Sequence, residues 1–253
     1  TKRAGEVMKA NFKLGMSKDL KKDFTPVTET DLKINHMLIE EVKNLFPEHG
    51  VKGEEESSSD TNKEYLWICD PVDWTIPFSS GIPISTFSLA LVQDGKPIVG
   101  VVYDPFQDRL FLASVGEGAT LNGEKIEVSK TDVFKGMVAT YEMFKTAKFD
   151  TDNLQRYLTL VEDVKILRLC SMVYPSVLVA AGELGFTIFP HTTAHDGAAV
   201  KIIVEEAGGK VTDMYGEEQR WDGEINGFIA SNGVIHDKLV SLCKKKVTLN
   251  KIN

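Results

Sequence analysis

Two aspartates three residues apart, Asp70 and Asp73, end an apolar run of strand-forming residues that begins at Tyr65. A buried strand that ends in this way delivers carboxylates to its C-terminal edge, where open α/β sheets commonly carry their chemistry. Two neighbouring carboxylates repel each other unless a proton or a cation lies between them. A divalent cation held by oxygen ligands alone is typically Mg²⁺ or Mn²⁺ rather than Zn²⁺. The pair therefore indicates a metal site, although the same residues could also simply form the turn that ends the strand.

Further acidic residues stand where they could complete such a site. Glu54 precedes the strand in a polar segment, and Asp196 follows His195 at the predicted start of a helix. Taken alone, Glu54 could be a solvated loop residue and Asp196 a helix cap. Together with Asp70 and Asp73, they match a hydrolase in which several Mg²⁺ ions clamp the attacking and leaving oxygens of a phosphate ester.

The residues after the aspartates, 75–79, predict the start of a helix. Its free backbone N–H groups and the Thr75 hydroxyl would suit a phosphate group. Phosphatases of the haloacid dehalogenase type also place aspartates after an apolar strand, but their two aspartates are separated by two positions and the first is a covalent nucleophile. The separation of three in this chain favours water as the nucleophile.

The first half of the chain, residues 1–132, is predicted to combine helices with a meandering, largely antiparallel sheet. Apolar residues recur at helical spacing, and Thr30 or Asp31 could cap one of the helices. Turn sequences such as Gln93-Asp94-Gly95-Lys96 separate the strand candidates. The predicted elements are helices at 4–16 and 32–46 and strands at 84–92, 97–103 and 109–113.

The second half, residues 133–253, is predicted to alternate strands with helices and to pack tightly against the first half as one unit. Gly208 follows an apolar-periodic segment and is a typical helix stop. The predicted elements are strands near 136–141, 164–169, 186–189, 210–213 and 226–230, and helices near 150–163, 174–183, 196–206 and from about 234 onward.

Composition indicates a globular protein and disfavours several functional classes. Apolar residues make up 42% and charged residues 26% of the 253 positions, so the chain can bury a large core. The 29 basic and 37 acidic residues give a formal charge of −8, which disfavours binding to nucleic acid. Apolar runs are too short for a membrane span, no signal-peptide core is evident, and three widely separated cysteines suit a reducing compartment. We therefore expect a cytoplasmic protein that binds neither nucleic acid nor membrane.

Several spaced motifs occur in a fixed order along the chain. They are Gly53-Glu54-Glu55, Asp70-Pro71-Val72-Asp73-x-Thr75, Gly100-Val101-Val102-Tyr103-Asp104-Pro105, Gly116-Glu117-Gly118-Ala119, and Asp196-Gly197-Ala198-Ala199 followed by Glu206-Ala207-Gly208-Gly209. With these motifs the chain resembles the inositol monophosphatase family almost from end to end. These are magnesium-dependent, lithium-sensitive phosphatases, grouped with fructose-1,6-bisphosphatases that include archaeal-type enzymes. The resemblance implies an α/β (α+β) fold, a layered α-β-α-β-α sandwich.

The resemblance also implies a role for each site residue. Two or three Mg²⁺ ions, with Mn²⁺ as an alternative, would be held by Glu54, Asp70, the Val72 carbonyl, Asp73 and Asp196. Thr75 and Asp31 would orient and deprotonate the attacking water, and Glu54 would reach a third metal ion through water. The backbone N–H groups of positions 74 and 75 would receive the phosphate. The residues expected to contact the substrate are Trp74, Thr75, Cys170, Ser171, Phe189 and Asp196.

Three positions depart from the family pattern. Trp74 replaces a glycine where phosphate and backbone come close, so its ring could obstruct the pocket or stack on a substrate, and a positive φ would cost roughly 1–2 kcal/mol. His195 replaces a tryptophan and could titrate beside the site or only pack against it. Phe189 stands where an acidic residue usually binds sugar hydroxyls, which favours a less hydroxylated or more aromatic alcohol than inositol. His191 has no assigned role.

The function predicted from the sequence is a magnesium-dependent phosphomonoesterase that uses metal-activated water. Its substrate would be a small phosphorylated alcohol or sugar of the inositol monophosphate type, and the resemblance implies a homodimer. One alternative is the same chemistry on fructose 1,6-bisphosphate or a 3′-phosphonucleotide. The other is a family member whose catalysis is impaired by Trp74.

Overall fold

The structure is a computed structural model that describes residues 1–22, 25–58, 60–135, 137–141, 159–160, 162–167 and 171–244. A small hairpin of β1 (Asp19–Leu20) and β2 (Pro26–Val27) precedes two larger sheets. The division of the chain at residue 132 into two halves stays a prediction.

The larger sheet has seven strands that follow one another in sequence order, so it is a meander as predicted. Only its first pair, β3 with β4, runs parallel; every later pair is antiparallel. The strands are β3 (Gly50–Gly53), β4 (Tyr65–Asp73), β5 (Thr86–Gln93), β6 (Lys96–Asp104), β7 (Arg109–Ser114), β8 (Gly118–Leu121) and β9 (Glu124–Lys125).

Among the described residues, the smaller sheet has five strands in the order β11-β10-β12-β14-β13, and it mixes parallel with antiparallel pairs. Its strands are β10 (Val138–Tyr141), β11 (Lys165–Leu167), β12 (Phe186–Phe189), β13 (Lys210–Thr212) and β14 (Phe228–Ser231). These strands lie where the alternating pattern predicts them. The predicted helix near 150–163 lies almost entirely outside the described residues.

Helices form the layers outside and between the two sheets. The described α-helices are α1 (Lys2–Asn11), α2 (Glu29–Leu45), α3 (Thr75–Ser79), α4 (Val173–Ala180), α5 (Ala198–Glu206) and α6 (His236–Lys244). Met8 of α1 and Ile34 of α2 are buried against the outer face of the larger sheet. Ile203 of α5 is buried in the core between the sheets, and Leu239 of α6 is buried behind the smaller sheet. The α-β-α-β-α layering predicted from the resemblance is therefore confirmed.

Helix α2 begins earlier than its apolar periodicity predicts. Its N-cap is Thr28, so the prediction that Thr30 or Asp31 caps the helix is wrong. The reason is a capping box: the Asp31 side chain reaches back and accepts the Thr28 N–H at 2.9 Å, while the Thr28 side chain meets the backbone of Asp31. This exchange fixes the Asp31 carboxylate at the start of the helix. None of the described helices combines the length and the apolar character needed to cross a lipid bilayer.

Candidate active site and metal centre

A β-bulge at the end of β4 aims Asp70 and Asp73 at the same place. Asp70 pairs with Ser88 of β5 and Asp73 pairs with Thr86, so three steps along β4 oppose two steps along β5. In a regular strand, residues three apart point to opposite faces of the sheet. The extra residue of a bulge re-aims the side chains that follow it. The bulge contains Pro71, which has no N–H to give to the ladder.

Asp196 joins the two strand aspartates from the other half of the chain. A turn of 3₁₀-helix, Ala194–Asp196, carries it to the start of α5. Carboxylate oxygens of Asp70, Asp73 and Asp196 lie within 4.8 Å of one another. Asp70 and Asp73 are 2% and 5% exposed. Three carboxylates with oxygen ligands only, two of them buried and Asp196 partly buried, fit a hard divalent cation, so these residues fit the metal ions that the family resemblance implies.

The three aspartates of the cluster hold their protons to higher pH than ordinary aspartates, because they are crowded together and shielded from water. Burial, and then the charge of Asp196, raises the pKa of Asp73 to about 8. Burial, and then the charges of Glu54, Asp73 and Asp196, raises the pKa of Asp70 well above its usual range. Burial raises the pKa of Asp196 as well. Three such carboxylates are therefore stable together only with bound protons or a bound cation.

Neighbouring hydroxyls and N–H groups orient each aspartate. The Thr86 hydroxyl donates to Asp73 Oδ2 at 3.1 Å, and the Ser171 hydroxyl donates to the same oxygen. The Val72 N–H donates to Asp70 Oδ1 at 3.1 Å. The Thr193 hydroxyl donates to Asp196 Oδ2. The sequence did not point to Thr86 and Thr193 as partners of the aspartates. Serine and threonine are common residues, so their presence in the sequence does not show which of them contacts an aspartate.

Glu54 approaches the cluster from the turn that follows β3. Its N–H donates to the Cys69 carbonyl at 2.9 Å, which ties the turn to β4. Lys21, just after β1, donates to Glu54 Oε1 at 2.7 Å and lies 2.6 Å from Glu55 Oε1. Burial alone would raise the pKa of Glu54, but the nearby His195 and Lys21 together bring it below its usual value. Glu54 contacts Asp70 but is outside the group of three oxygens found among the described residues, so its metal role stays a prediction.

Asp31 and Thr75 meet as the resemblance implies. Thr75 Oγ1 lies 3.1 Å from Asp31 Oδ1 and 3.0 Å from the Val72 carbonyl oxygen. A hydroxyl has one proton, so Thr75 donates to one of these acceptors at a time. Burial raises the pKa of Asp31. The predicted carbonyl ligand, Val72, is therefore within reach of the Thr75 hydroxyl in this structure.

Trp74 adopts the left-handed conformation that its position demands. Its φ is 79° and its ψ is 44°, and it forms the N-cap of α3. The Phe78 N–H and the Ser85 hydroxyl both donate to its carbonyl, at 3.0 and 3.1 Å. The ring is buried, with 5% of the residue exposed, and its centroid lies 6.5 Å from that of Tyr174. The ring therefore packs into the protein and does not turn outward to stack on a substrate.

The remaining residues that were predicted to contact the substrate differ in how closely they approach the aspartate cluster. Ser171 contacts Asp73 directly, whereas Cys170 lies outside the described residues. Phe189 is buried and packs on Phe228 and His191, with ring centroids 5.1 and 4.9 Å apart. His195 Nε2 lies 3.7 Å from Asp196 Oδ2, so this histidine packs beside the cluster. The role of Phe189 in substrate binding stays a prediction.

Comparison with known proteins identifies the class to which this fold and site belong. The family model for "Inositol monophosphatase family" matches residues 1–248, and the chain belongs to that family. It is therefore a phosphatase that hydrolyses phosphoric monoesters. The family is metal-dependent, and this chain has an acidic cluster of Asp70, Asp73 and Asp196.

Individual relatives carry different substrate names. The chain is 35% identical over 224 residues to a fructose-1,6-bisphosphatase/inositol-1-monophosphatase of Thermotoga maritima, covering 87% of this chain and 83% of the relative. It is 31% identical over 244 residues to a histidinol-phosphatase of Mycobacterium tuberculosis, covering 94% and 93%. A solved structure of an IMPase/NADP phosphatase complexed with Mg²⁺ and phosphate is 26% identical, with a TM-score of 0.84 and coverage of 97% and 92%.

Proposed function

We propose that this protein hydrolyses the phosphate monoester of a small alcohol or sugar with Mg²⁺ bound at Asp70, Asp73 and Asp196. The observation that carries the proposal is a group of three carboxylates, two of them buried and Asp196 partly buried, whose oxygens lie within 4.8 Å of one another and whose pKa values are all raised. A protein that crowds charge in this way has built a site for a cation. The Mg²⁺ complex of the structurally similar IMPase/NADP phosphatase supports the choice of metal.

The three aspartates would hold the metal, with Glu54 and the Val72 carbonyl as further ligands. Bound divalent ions supply charge stabilisation for the phosphoryl oxygens and lower the pKa of water. Glu54 already stands beside Asp70, because the Cys69 carbonyl fixes its backbone. Lys21 donates to Glu54 Oε1 in this structure, so Glu54 would bind a metal through its other oxygen or after Lys21 moves away.

Thr75 and Asp31 would prepare the attacking water. When the Thr75 hydroxyl donates to Asp31 at 3.1 Å, its oxygen remains as an acceptor for a proton of that water. Asp31 is fixed by the capping box, so it can hold the Thr75 proton at a constant position. Hydrolysis would then proceed by in-line attack of water, without a covalent intermediate. The N–H groups of positions 74 and 75 are the proposed phosphate donors.

The alcohol part of the substrate is proposed to carry few hydroxyl groups near β12. Phe189 offers no hydrogen-bonding group there. A relative that is named as a histidinol-phosphatase supports an alcohol other than inositol. Fructose 1,6-bisphosphate and 3′-phosphonucleotides remain the alternative substrates. Lithium sensitivity and a homodimer are predictions from the family resemblance, and a cytoplasmic location is a prediction from composition and the absence of a signal-peptide core in the sequence.

A phosphate-release panel tests the proposal. The panel compares inositol 1-phosphate, histidinol phosphate, fructose 1,6-bisphosphate and a 3′-phosphonucleotide, each with Mg²⁺ and with EDTA. We expect Mg²⁺-dependent release from at least one ester. Release that persists undiminished in EDTA would overturn the mechanism, and silence on every ester would favour the alternative of an impaired family member.

A further inference from the structure

The turn that carries Glu54 is tied to its surroundings by backbone hydrogen bonds. The Gly53 N–H donates to the Glu56 carbonyl at 3.1 Å, which closes the turn around Glu54 and Glu55. The Glu54 N–H donates to the Cys69 carbonyl at 2.9 Å, next to Asp70. The backbone of this turn therefore determines where the Glu54 side chain starts.

One side chain from another element enters this turn. Asn35 of α2 is fully buried, and its Nδ2 donates to the Glu56 carbonyl at 2.8 Å. Its Oδ1 faces Gly53, where a Cβ atom would lie only 2.0 Å from that oxygen. Because a carbonyl can only accept, the amide nitrogen must be the group that faces Glu56. Asn35 and the bare backbone of Gly53 thus fit against each other without room for another side chain.

Asn35 shares a helix face with a proposed catalytic residue. It lies four positions after Asp31, so both side chains leave the same face of α2. Asp31 in turn contacts the Thr75 hydroxyl at 3.1 Å. One helix face therefore contacts both the turn of the acidic ligand and the group that would prepare the water.

We infer that Asn35 is a positioning residue that holds the Glu54 turn at a fixed distance from the Asp31–Thr75 pair. The inference rests on the proposed function, because Glu54 matters to the reaction only if the site binds metal. Loss of the Asn35 amide would leave the Gly53 N–H as the one described donor to the Glu56 carbonyl. The turn would then open more easily, and Glu54 would bind metal more weakly. Removal of a direct hydrogen-bond partner of a metal ligand typically changes metal affinity about 10–100-fold. Asn35 acts on Glu54 through the Glu56 carbonyl, so we expect a change at the lower end of that range.

The test uses two variants and a matched control. Asn35→Ala removes the side chain, and Asn35→Leu keeps its approximate volume without its donor. Asn11→Ala is the control, because Asn11 Nδ2 also donates to a residue of α2, Thr30, at 3.1 Å but does not contact the Glu54 turn. The readouts are the Mg²⁺ concentration for half-maximal phosphate release, the KM for the ester at saturating Mg²⁺, and amide hydrogen exchange of Gly53 in metal-free protein.

We expect both Asn35 variants to need about tenfold more Mg²⁺ and to exchange the Gly53 amide about tenfold faster, with KM and the Asn11 control unchanged. Unchanged Mg²⁺ requirement and exchange in both variants would overturn the inference. So would an equal rise in exchange along β4 and β5, which would show general destabilisation. Exchange is measured without turnover, so it remains informative if wild-type protein releases no phosphate, the result that would count against the proposed function itself.

Discussion

Two clusters of buried charge in this protein are neutralised in opposite ways. In α5, the ammonium of Lys201 donates to Glu205 Oε1, the Val211 carbonyl and Glu218 Oε2 at 2.8, 2.9 and 2.7 Å. Lys201 is only 8% exposed, and its charge has every partner it needs from the chain itself. The cluster of Asp70, Asp73 and Asp196 brings three carboxylates within 4.8 Å of one another, and the pKa values of all three are raised.

The difference distinguishes a structural ion cluster from a binding site. A buried charge with complete internal partners contributes to holding the fold, and its removal is destabilising. A cluster of like charges is unfavourable until something from outside binds it, and sites of this kind commonly reduce stability in exchange for function. The two clusters should therefore respond to substitution with opposite signs.

The largest effect is expected for Asp73→Asn. This change removes a proposed metal ligand but keeps an oxygen that can accept from Ser171 and Thr86. Phosphate release should fall by more than about 100-fold, since even partners of metal ligands affect activity by up to that factor. The metal-free protein should unfold at a higher temperature at pH 8, because the variant no longer loses a proton there. Full turnover in the variant would contradict the metal assignment.

The next effect is a dependence of metal-free stability on pH. The folded-state pKa of Asp73 is about 8, above its unfolded value near 4, so the stability linked to its proton is complete at low pH and is lost as pH rises toward 8. The slope should reach about 1.4 kcal/mol per pH unit for each such group. Denaturant titrations should cover pH 6.5 to 8. Burial is the main cause that lowers the pKa of His236 from 6.5 to about 4, so this residue makes stability rise with pH, but only below pH 6.5. Mg²⁺ should abolish the decline; a flat profile in EDTA would show that the aspartates are not crowded.

A substitution in the Lys201 cluster is expected to have a smaller effect, and it should lower stability where Asp73→Asn raises it. Lys201→Met should lower the free energy of unfolding by about 2 kcal/mol, because it leaves the buried Val211 carbonyl without its charged donor, whereas Glu205 and Glu218 can be solvated. Phosphate release below the melting temperature should stay within about twofold, since Lys201 contacts none of the described site residues. Glu218→Gln is the matched control, because Glu218 is largely exposed and its loss should cost little. A selective loss of activity in Lys201→Met would remove the distinction between the clusters.

The smallest effect is expected for Trp74→Gly. Glycine relieves roughly 1–2 kcal/mol of left-handed strain but loses a buried ring worth about 3 kcal/mol, so the variant should be about 1–2 kcal/mol less stable. Phosphate release should stay within about threefold, because the backbone already has the conformation that glycine would allow. Asp94→Gly is the control for strain relief, since Asp94 also has a positive φ, of 49°, in the turn between β5 and β6, and its side chain makes no hydrogen bond among the described residues. A gain of more than about tenfold in the Trp74 variant would show that the ring obstructs the pocket.

Much of the site could be predicted because its residues are chemically distinctive. Asp70 and Asp73 end an apolar segment and Asp196 begins a helix, and the family resemblance suggested that the three meet. The spacing of Asp70 and Asp73 did not show that they share a side of the sheet, which depends on the bulge opposite Ser88 and Thr86. Bulges follow from the pairing of two strands and have no simple pattern in either one.

The contacts that support the site were harder to predict because they join distant segments. Lys21 reaches Glu54 across 33 positions, and Asn35 reaches Glu56 across 21. A lysine in a charged segment and an asparagine in a helix have many ordinary roles, so neither drew attention. The start of α2 was misplaced for a related reason: Asp31 looks like a helix cap, whereas it occupies the third helical position and Thr28 is the cap. The supporting contacts and the start of α2 both depend on which side chains hydrogen-bond to which groups, and the sequence alone does not show this.

Calorimetric titration of metal-free protein with Mg²⁺ at pH 7, in two buffers of different ionisation enthalpy, tests most directly whether the aspartate cluster is held for a cation. Asp73 has a pKa of about 8 in the metal-free protein, so at pH 7 it is mostly protonated and must lose its proton when a metal binds. We predict that binding releases about one proton or more, that the observed heat differs between the buffers accordingly, and that Asp73→Asn reduces this release. Binding with the same heat in both buffers, or no binding at millimolar Mg²⁺, would contradict the account.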